Sequence, residues 1–152
     1  MRLFRLAQAR HATSPEHMLD GMGAYRAGGR WNSKGVKAVY LAETLSLATL
    51  EILVHIRIPS VLERYRCVEV EVDAELLVDL GNGTLEAEQV AIGNAILTDP
   101  SRLGLLAASV VNPFERNVLL NRDYPGFESS VTVLTDVYDY PIDPRLVGGE
   151  GR

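Results

Sequence analysis

The stretch GGRWNSKGVKAVYLAETLSLATLEILVHI, residues 28–56, contains three consecutive patterns that decide most of the predicted fold. Its beginning belongs to a segment, residues 23–35, whose four glycines predict a loop. The residues KAVYL, 37–41, form a short apolar run that is typical of a buried strand. Residues 43–55 then predict a helix, for which Thr44 is a suitable N-cap.

Strands and helices are also predicted outside this stretch. The patterns indicate strands over residues 2–7, 67–73, 107–111 and 129–137, and a second helix over residues 85–97. Because the strands come before, between and after the helices without a regular βαβ rhythm, we expect an α+β fold on a mainly antiparallel or mixed sheet. In the strand over 67–73, Glu69 and Glu71 are expected to face solvent, opposite three inward-facing valines.

The composition narrows the class of protein. The chain has 152 residues, 47% of them hydrophobic, which suits one compact domain with a single core. A net charge of −5 disfavours nucleic-acid binding, because affinity for a phosphate backbone depends on clustered Lys and Arg. The single cysteine, Cys67, excludes a disulfide within the chain and fits a cytoplasmic protein. We expect no signal peptide and no membrane association, and we expect residues 147–152 to be a disordered tail.

Several common motif-based sites are missing from the sequence. The three histidines lie outside any CxxC or HExxH pattern, so no metal site is expected. No GxGxxG follows a predicted strand, and no GxxxxGK[ST] occurs. A Rossmann dinucleotide site and a P-loop are therefore not expected.

Glu51 is the strongest catalytic candidate, because it is a lone carboxylate within an apolar helix. Its neighbours one turn away include Leu47, Ala48 and Val54, and we expect this helix to lie in the interior. A carboxylate there has to be paired or protonated, since burial of an unpaired charge is costly. Perturbed carboxylates sometimes mark active sites, although a polar seam on a half-exposed helix would give the same pattern.

The glycine-rich loop and the strand after it offer three further candidates. In the run Gly28-Gly29-Arg30-Trp31 the glycines allow the backbone to approach a ligand closely, and Arg30 can hold a phosphate or carboxylate with two hydrogen bonds. Trp31 can stack on a ring or pack beneath the loop. A plain surface turn with its tryptophan in the core would explain the same residues. Tyr40, at the end of the strand, is by itself an ordinary buried tyrosine.

Two polar residues in the C-terminal half complete the set. Ser109 lacks the GxSxG elbow of hydrolases, so the sequence gives no support to a serine nucleophile. The residue is compatible with a polar group that lines a cleft. Asn117 lies in the segment ERNVLLN, where an asparagine is more often a turn or cap residue.

Taken together, these residues resemble the RES domain, the toxin half of bacterial RES–Xre toxin–antitoxin pairs. RLFRLA, residues 2–7, resembles the opening strand of the family, and the stretch 28–56 resembles its central signature. LLAASVVNPFERNVLLNRDYPGF, residues 105–127, resembles its third signature. The resemblance extends to about Asp139 and implies a single RES domain over residues 1–146.

The resemblance implies an ADP-ribosyltransferase-like fold of the diphtheria-toxin type and an enzyme that consumes NAD. The active-site positions of the family correspond here to Arg30, Tyr40, Glu51 and Ser109. Contributions to substrate binding are expected from Arg5, Trp31 and Asn117. NAD is then a substrate and not a cofactor, and inorganic phosphate or water is the second substrate.

Three functions are compatible with the sequence. The leading hypothesis is a toxin that degrades NAD by cleaving the nicotinamide–ribose bond, by phosphorolysis or hydrolysis. The alternatives are a protein ADP-ribosyltransferase and a non-catalytic module that holds a nucleotide in the same cleft, whereas the acidic composition disfavours an RNA-cleaving toxin. The resemblance also implies an Xre-like antitoxin that blocks the NAD cleft, with DNA contacted only through that partner.

Overall fold

The computed structural model describes residues 1–56 and 64–147. Its strands are β1 (Arg2–Gln8), β2 (Ala38–Ala42), β3 (Tyr65–Val72), β4 (Leu77–Asp79), β5 (Gly104–Ala108), β6 (Arg116–Asn121), β7 (Val131–Val133) and β8 (Tyr138–Asp139). Its α-helices are α1 (Pro15–Met18), α2 (Met22–Ala27), α3 (Leu45–Leu53), α4 (Gln89–Leu97) and α5 (Phe127–Ser130). Most of the expected tail, residues 148–152, lies outside the described residues.

The strands form one mixed sheet. Its order is β4-β5-β6-β2-β1-β3-β7, and β8 pairs separately with β3. The β4–β5 pair is parallel and the other pairs are antiparallel. With helices flanking this sheet, the α+β prediction is confirmed.

The two faces of the sheet bury the two largest apolar clusters of the described residues, because successive side chains of a strand point to opposite faces. On β6, Val118 and Leu120 join one cluster, and Leu119 joins the other. On β2, Val39 and Ala38 divide in the same way. The second cluster contains the indole of Trp31 and packs beside the cleft described below.

Helix α3 forms where the sequence predicts it. The Thr44 hydroxyl accepts a hydrogen bond from the amide of Leu47 at 3.0 Å, so the expected N-cap is confirmed. The expectation that the helix lies in the interior is wrong, because Leu50 on the helix and Val54 at its C-cap are exposed. One face of the helix packs against β1 and β2, and apolar residues also occur outside that face.

The glycine-rich segment 23–35 is not wholly a loop, as its first residues belong to α2. The helix starts after Gly21, at φ +69°, and is closed by Gly28, at φ +70°. Both glycines adopt a left-handed backbone that other residues rarely take. Between them, Ala24 and its neighbours are compatible with a helix, so the glycines terminate a short helix and do not prevent one.

Two predictions about the C-terminal half are wrong in position. The strand predicted over 107–111 ends at Ala108. The chain turns there because the Ser109 hydroxyl accepts hydrogen bonds from the amides of Val111 and Asn112. Asn117 in the segment ERNVLLN, interpreted as a turn or cap residue, lies within β6, a strand in the interior of the sheet. The apolar side chains of this strand are buried on both faces of the sheet, so the alternation that marks a half-buried strand is missing.

The predicted long strand 129–137 is also shorter than expected. Only Val131–Val133 pairs with β3, and the preceding residues form α5. Glu69 is buried and does not face solvent as expected, because Arg2 and Tyr138 bond its carboxylate. No helix in the described part of the chain is long and apolar enough to cross a membrane.

Candidate functional site

A cleft of about 820 Å³ opens where β1 and β2 separate. The two strands share one register pair, Phe4 with Ala42. The cleft is also bordered by α3, by the loop after α2 and by the turn after β5. Its volume falls within the range of about 300–1,000 Å³ that is typical of small-molecule sites. Its lining includes all but one of the candidate residues, namely Arg5, Arg30, Trp31, Tyr40, Glu51 and Asn117.

Glu51 projects from α3 into this cleft and is held by two neutral donors. The Ser109 hydroxyl donates to Oε1 of Glu51 at 2.7 Å, and Nδ2 of Asn117 donates to the same oxygen at 2.5 Å. Within residues 1–56 and 64–147, no hydrogen bond or ion pair reaches Oε2. The carboxylate is therefore oriented through one oxygen, and the other is available to a ligand.

Ser109 is the candidate outside the cleft lining, and its side chain is buried behind Glu51. Its hydroxyl oxygen accepts hydrogen bonds from the amides of Val111 and Asn112, both at 3.1 Å. A hydroxyl has one proton, and here that proton is donated to Glu51. Only 2% of Ser109 is exposed, so the geometry gives it the role of a fixed donor to the carboxylate.

Asn117 reaches the carboxylate because small residues flank it on the sheet. Its neighbours across the strands are Ala42 on β2 and Ala107 on β5. Alanine side chains leave room above this part of the sheet, and the Glu51 side chain of α3 extends into that space. A residue that the sequence alone indicated as a turn residue thus contacts the carboxylate from a central strand.

The loop that carries Arg30 is fixed from below by Tyr40. The tyrosine hydroxyl donates to Oδ1 of Asn32 at 2.7 Å and accepts from the amide of Trp31 at 3.2 Å. Burial raises the pKa of Tyr40, although the hydrogen bond from Trp31 and the charge of Arg30 oppose the shift. The hydroxyl therefore stays neutral and keeps its proton for Asn32. A Cβ added at Gly29 would lie 2.5 Å from this hydroxyl, so only glycine fits there.

Asn32 is a structural residue of the site that the sequence reasoning did not single out. It is 1% exposed, and its Nδ2 donates to the carbonyl oxygens of Ala24, Ser33 and Val36. The only signal in the sequence is its position in a glycine-rich loop, which is also typical of an ordinary turn residue.

Arg30 and Trp31 have opposite environments at the tip of this loop. Arg30 is exposed at the cleft, and no hydrogen bond or ion pair to it occurs among the described residues. Trp31 is 5% exposed and packs with Leu97, Leu105 and Leu119. This burial favours the interpretation that the indole supports the loop from beneath over the one in which it stacks on a ligand.

Arg5 occupies the gap between the separated strands. Its Nη1 donates to the carbonyl oxygen of Tyr40 at 2.8 Å. Its Nε is buried and has no hydrogen-bond partner among the described residues. Burial lowers the pKa of Arg5, and the charge of Asp20 partly opposes this shift. A buried guanidinium with an unsatisfied N–H is suited to bind an anion in the cleft.

Exposed apolar side chains line the cleft beside Glu51 or follow in the turn after β5. Val54 follows α3 and is 57% exposed, and Val110 in the turn after β5 is 64% exposed. Phe114, later in the same turn, is 95% exposed. We refer to Val54, Val110 and Phe114 as the apolar rim.

In the part of the chain that the structure describes, no three His, Cys, Asp or Glu side chains are arranged to hold a metal ion.

Comparisons with known proteins agree with the resemblance seen in the sequence. The model of the RES domain family matches residues 2–143. A protein called "Toxin Res" from Yersinia enterocolitica is 34% identical, over 96% of this chain and 99% of its own length. A second "Toxin Res", from Photorhabdus laumondii, is 31% identical, over 97% of both chains. A "Prs ADP-ribosylating toxin" from a Sphingobium species is 33% identical, over 85% of this chain and 86% of its own length. That name accords with the ADP-ribosyltransferase-like fold expected here.

Proposed function

The chain belongs to the RES-domain family of toxins, and from this premise we propose that it is a toxin that consumes NAD by cleaving the nicotinamide–ribose bond. The observation that carries the proposal is the environment of Glu51. One of its carboxylate oxygens is held by Ser109 and Asn117, and arginines line the same cleft. A fixed negative group near a site for phosphates is what this cleavage needs.

The chemistry explains why a fixed carboxylate is useful. When the bond between ribose C1′ and the nicotinamide nitrogen breaks, its electron pair leaves with the nitrogen, and positive charge develops on the ribose. A carboxylate already oriented towards that charge stabilises the transition state without reorganisation. An oxygen of phosphate or water then bonds to C1′ and its proton passes to solvent. We expect Oε2 of Glu51 to face the ribose, because Oε1 is occupied by Ser109 and Asn117.

The arginines provide the binding part of the proposal. Arg5 has a buried N–H without a partner among the described residues, and Arg30 is exposed in the lining of the same cleft. Guanidinium groups bind phosphate oxygens with paired, charge-assisted hydrogen bonds. We propose that Arg5 and Arg30 bind the pyrophosphate of NAD, and that Tyr40 fixes the loop of Arg30 while its ring forms part of the wall.

The test is turnover of NAD by the purified chain and by its Glu51→Gln variant. The wild type is expected to release nicotinamide together with ADP-ribose-1-phosphate when phosphate is the acceptor, or together with ADP-ribose when water is the acceptor. Glu51→Gln keeps the shape of the side chain but lacks the charge, so turnover should fall by at least about 10²-fold while the fold persists. Tight binding of NAD by the wild type without any product would instead support a non-catalytic nucleotide-binding module.

Transfer of ADP-ribose to a protein is the second candidate, favoured by the name of the Sphingobium relative. The same cleavage serves both reactions, and they differ in the acceptor that reaches C1′. NAD labelled in its adenosine part, added to a cell lysate with the purified chain, distinguishes them. Label on a discrete protein band would favour transfer, and label confined to small molecules would favour degradation.

We further propose a partner antitoxin of the Xre type that covers the cleft, because the "Toxin Res" relatives imply a toxin–antitoxin system. The apolar rim is our candidate for its contact surface, since it groups three exposed apolar side chains on the two elements that carry Glu51 and Ser109. Co-expression with the neighbouring gene product should give a complex, and Phe114→Ser should weaken it. Full retention of the complex by Phe114→Ser would remove the rim from the interface.

A further inference from the structure

We propose that Glu115 is a positioning residue for Glu51, because it fastens the turn that carries Ser109 to the start of the helix that carries Glu51. This inference rests on the proposed function, in which the orientation of the Glu51 carboxylate limits the reaction. Glu115 lies outside the cleft lining and is half-buried, so its effect on the reaction would pass through other residues.

The carboxylate of Glu115 joins two separate parts of the chain. Its Oε1 accepts a hydrogen bond from the hydroxyl of Thr44, and its Oε2 accepts one from Nδ2 of Asn112 at 2.6 Å. Thr44 is the N-cap of α3, where its hydroxyl also accepts from the amide of Leu47. The helix is thus held at its first turn by a residue from the β5–β6 connection.

The backbone of Glu115 closes the same connection. Its carbonyl oxygen accepts from the amide of Ser109 at 3.0 Å, and its amide donates to the carbonyl oxygen of Asn112 at 3.0 Å. Inside this closed turn, the amides of Val111 and Asn112 hold the Ser109 hydroxyl. The residue that closes the turn is therefore also the residue that attaches it to α3.

These contacts set the distance between two groups that are otherwise far apart in the chain. Ser109 and Glu51 are 58 positions apart, and their 2.7 Å hydrogen bond depends on how the turn sits against the helix. Without Glu115 the turn can move relative to α3, and a displacement of about 1 Å in a catalytic group can lower a rate by about 10²-fold. Both partners of Glu115 are donors, which explains why an acceptor with two oxygens occupies this position.

The experiment compares Glu115→Ala with the conservative Glu115→Gln. Glutamine can accept from Asn112 with its oxygen and donate to the Thr44 hydroxyl with its amide, so it can preserve both connections. We expect Glu115→Ala to lower kcat by about tenfold, no further than Ser109→Ala does, with KM for NAD nearly unchanged, and Glu115→Gln to restore most of kcat. Glu128→Ala is the matched control, because it removes an exposed carboxylate that pairs only with Arg122 among the described residues.

A double-mutant cycle separates positioning from a general loss of stability. If Glu115 acts through Ser109, then Glu115→Ala should lower kcat little further in a Ser109→Ala background. Equal factors in both backgrounds would overturn the proposal, as would wild-type kcat in Glu115→Ala. A loss of kcat in Glu115→Ala that Glu115→Gln does not restore would also count against the two connections.

A second readout does not depend on turnover. Hydrogen exchange at the amides of Val111 and Asn112, which bond the Ser109 hydroxyl, should accelerate in Glu115→Ala and stay slow in Glu115→Gln. If the wild type fails to turn over NAD, the proposed function fails, and this measurement still decides whether Glu115 holds the turn. Unchanged exchange in Glu115→Ala would overturn the inference by itself.

Discussion

Ser109→Ala tests whether the orientation of Glu51 limits turnover. The substitution deletes the 2.7 Å hydrogen bond to Oε1 and leaves the 2.5 Å bond from Asn117 in place. A hydrogen bond to a charged group is worth about 1.5–3 kcal/mol. Because Glu51 is half-buried and solvent can partly replace the lost donor, the lower end applies. About 1.4 kcal/mol in the transition state corresponds to about a tenfold fall in kcat.

Asn117→Ala is the matched perturbation, because it removes the other donor to the same oxygen. We expect a similar fall of about tenfold for this variant, and about 10²-fold or more for the double variant, in which the carboxylate is free to rotate. Ser109→Ala should also lower the free energy of unfolding by about 1–2 kcal/mol, because the amides of Val111 and Asn112 lose their acceptor.

The assay is the initial rate of NAD consumption over a range of NAD concentrations, together with urea unfolding of each variant. Ser129→Ala is a control, because this exposed serine donates only to the carbonyl of Gly126, the N-cap of α5, among the described residues. A kcat within about twofold of wild type in Ser109→Ala would refute the argument that the hydroxyl orients Glu51. A loss as large as that of Glu51→Gln would show that Ser109 touches the reacting atoms, and a raised KM with unchanged kcat would make it a substrate-binding residue.

Three further predictions concern binding, packing and acid stability. Arg5→Met should raise KM for NAD by about tenfold or more with less effect on kcat, measured by initial rates, because it removes the buried guanidinium at the proposed pyrophosphate site. Gly93→Ala should lower the free energy of unfolding by about 1–3 kcal/mol in urea titrations, because its Cβ would overlap the carbonyl oxygen of Trp31. Burial raises the pKa of Glu69, but hydrogen bonds and the charge of Arg2 outweigh it and hold the pKa below its ordinary value. Stability from this carboxylate is present above an unfolded pKa of about 4.3 and is lost as the pH falls through the lower folded pKa, so the acid loss should be smaller in Glu69→Gln.

The part of the fold that could be predicted from the sequence is the part whose signals are local. The cap at Thr44, the helix after it and the strand before it all appear close to the expected positions. The structure differs from the predictions in segments whose conformation depends on distant partners. The β6 strand is buried on both faces in the middle of the sheet, and its pattern therefore lacks alternation. Glu69 has the alternation of a solvent-facing residue, but Arg2, far away in the sequence, bonds it.

The residues of the candidate site show the same difference between local signals and contacts with distant residues. Glu51 and Arg30 could be selected from local features, a lone carboxylate in an apolar helix and an arginine in a glycine-rich loop. Periodicity could not place Ser109 and Asn117 beside Glu51, since they are 58 and 66 positions away. The resemblance to a family selected all four, and the structure adds that Ser109 is buried behind the carboxylate while Arg30 is exposed in the cleft lining.

The identity of the groups that hold Glu51 matters for the proposed chemistry. The sequence predicts that a carboxylate at this position has to be paired or protonated, and both donors found are neutral, a hydroxyl and an amide. An arginine in ion-pair contact would orient the carboxylate equally well, but it would offset the negative charge that has to stabilise the developing ribose cation. Neutral donors fix the direction of the group and leave its charge available. Among the described residues the arginines of the cleft make no ion pair with Glu51, and this separation allows one cleft to stabilise a cation at the ribose and bind an anion at the pyrophosphate.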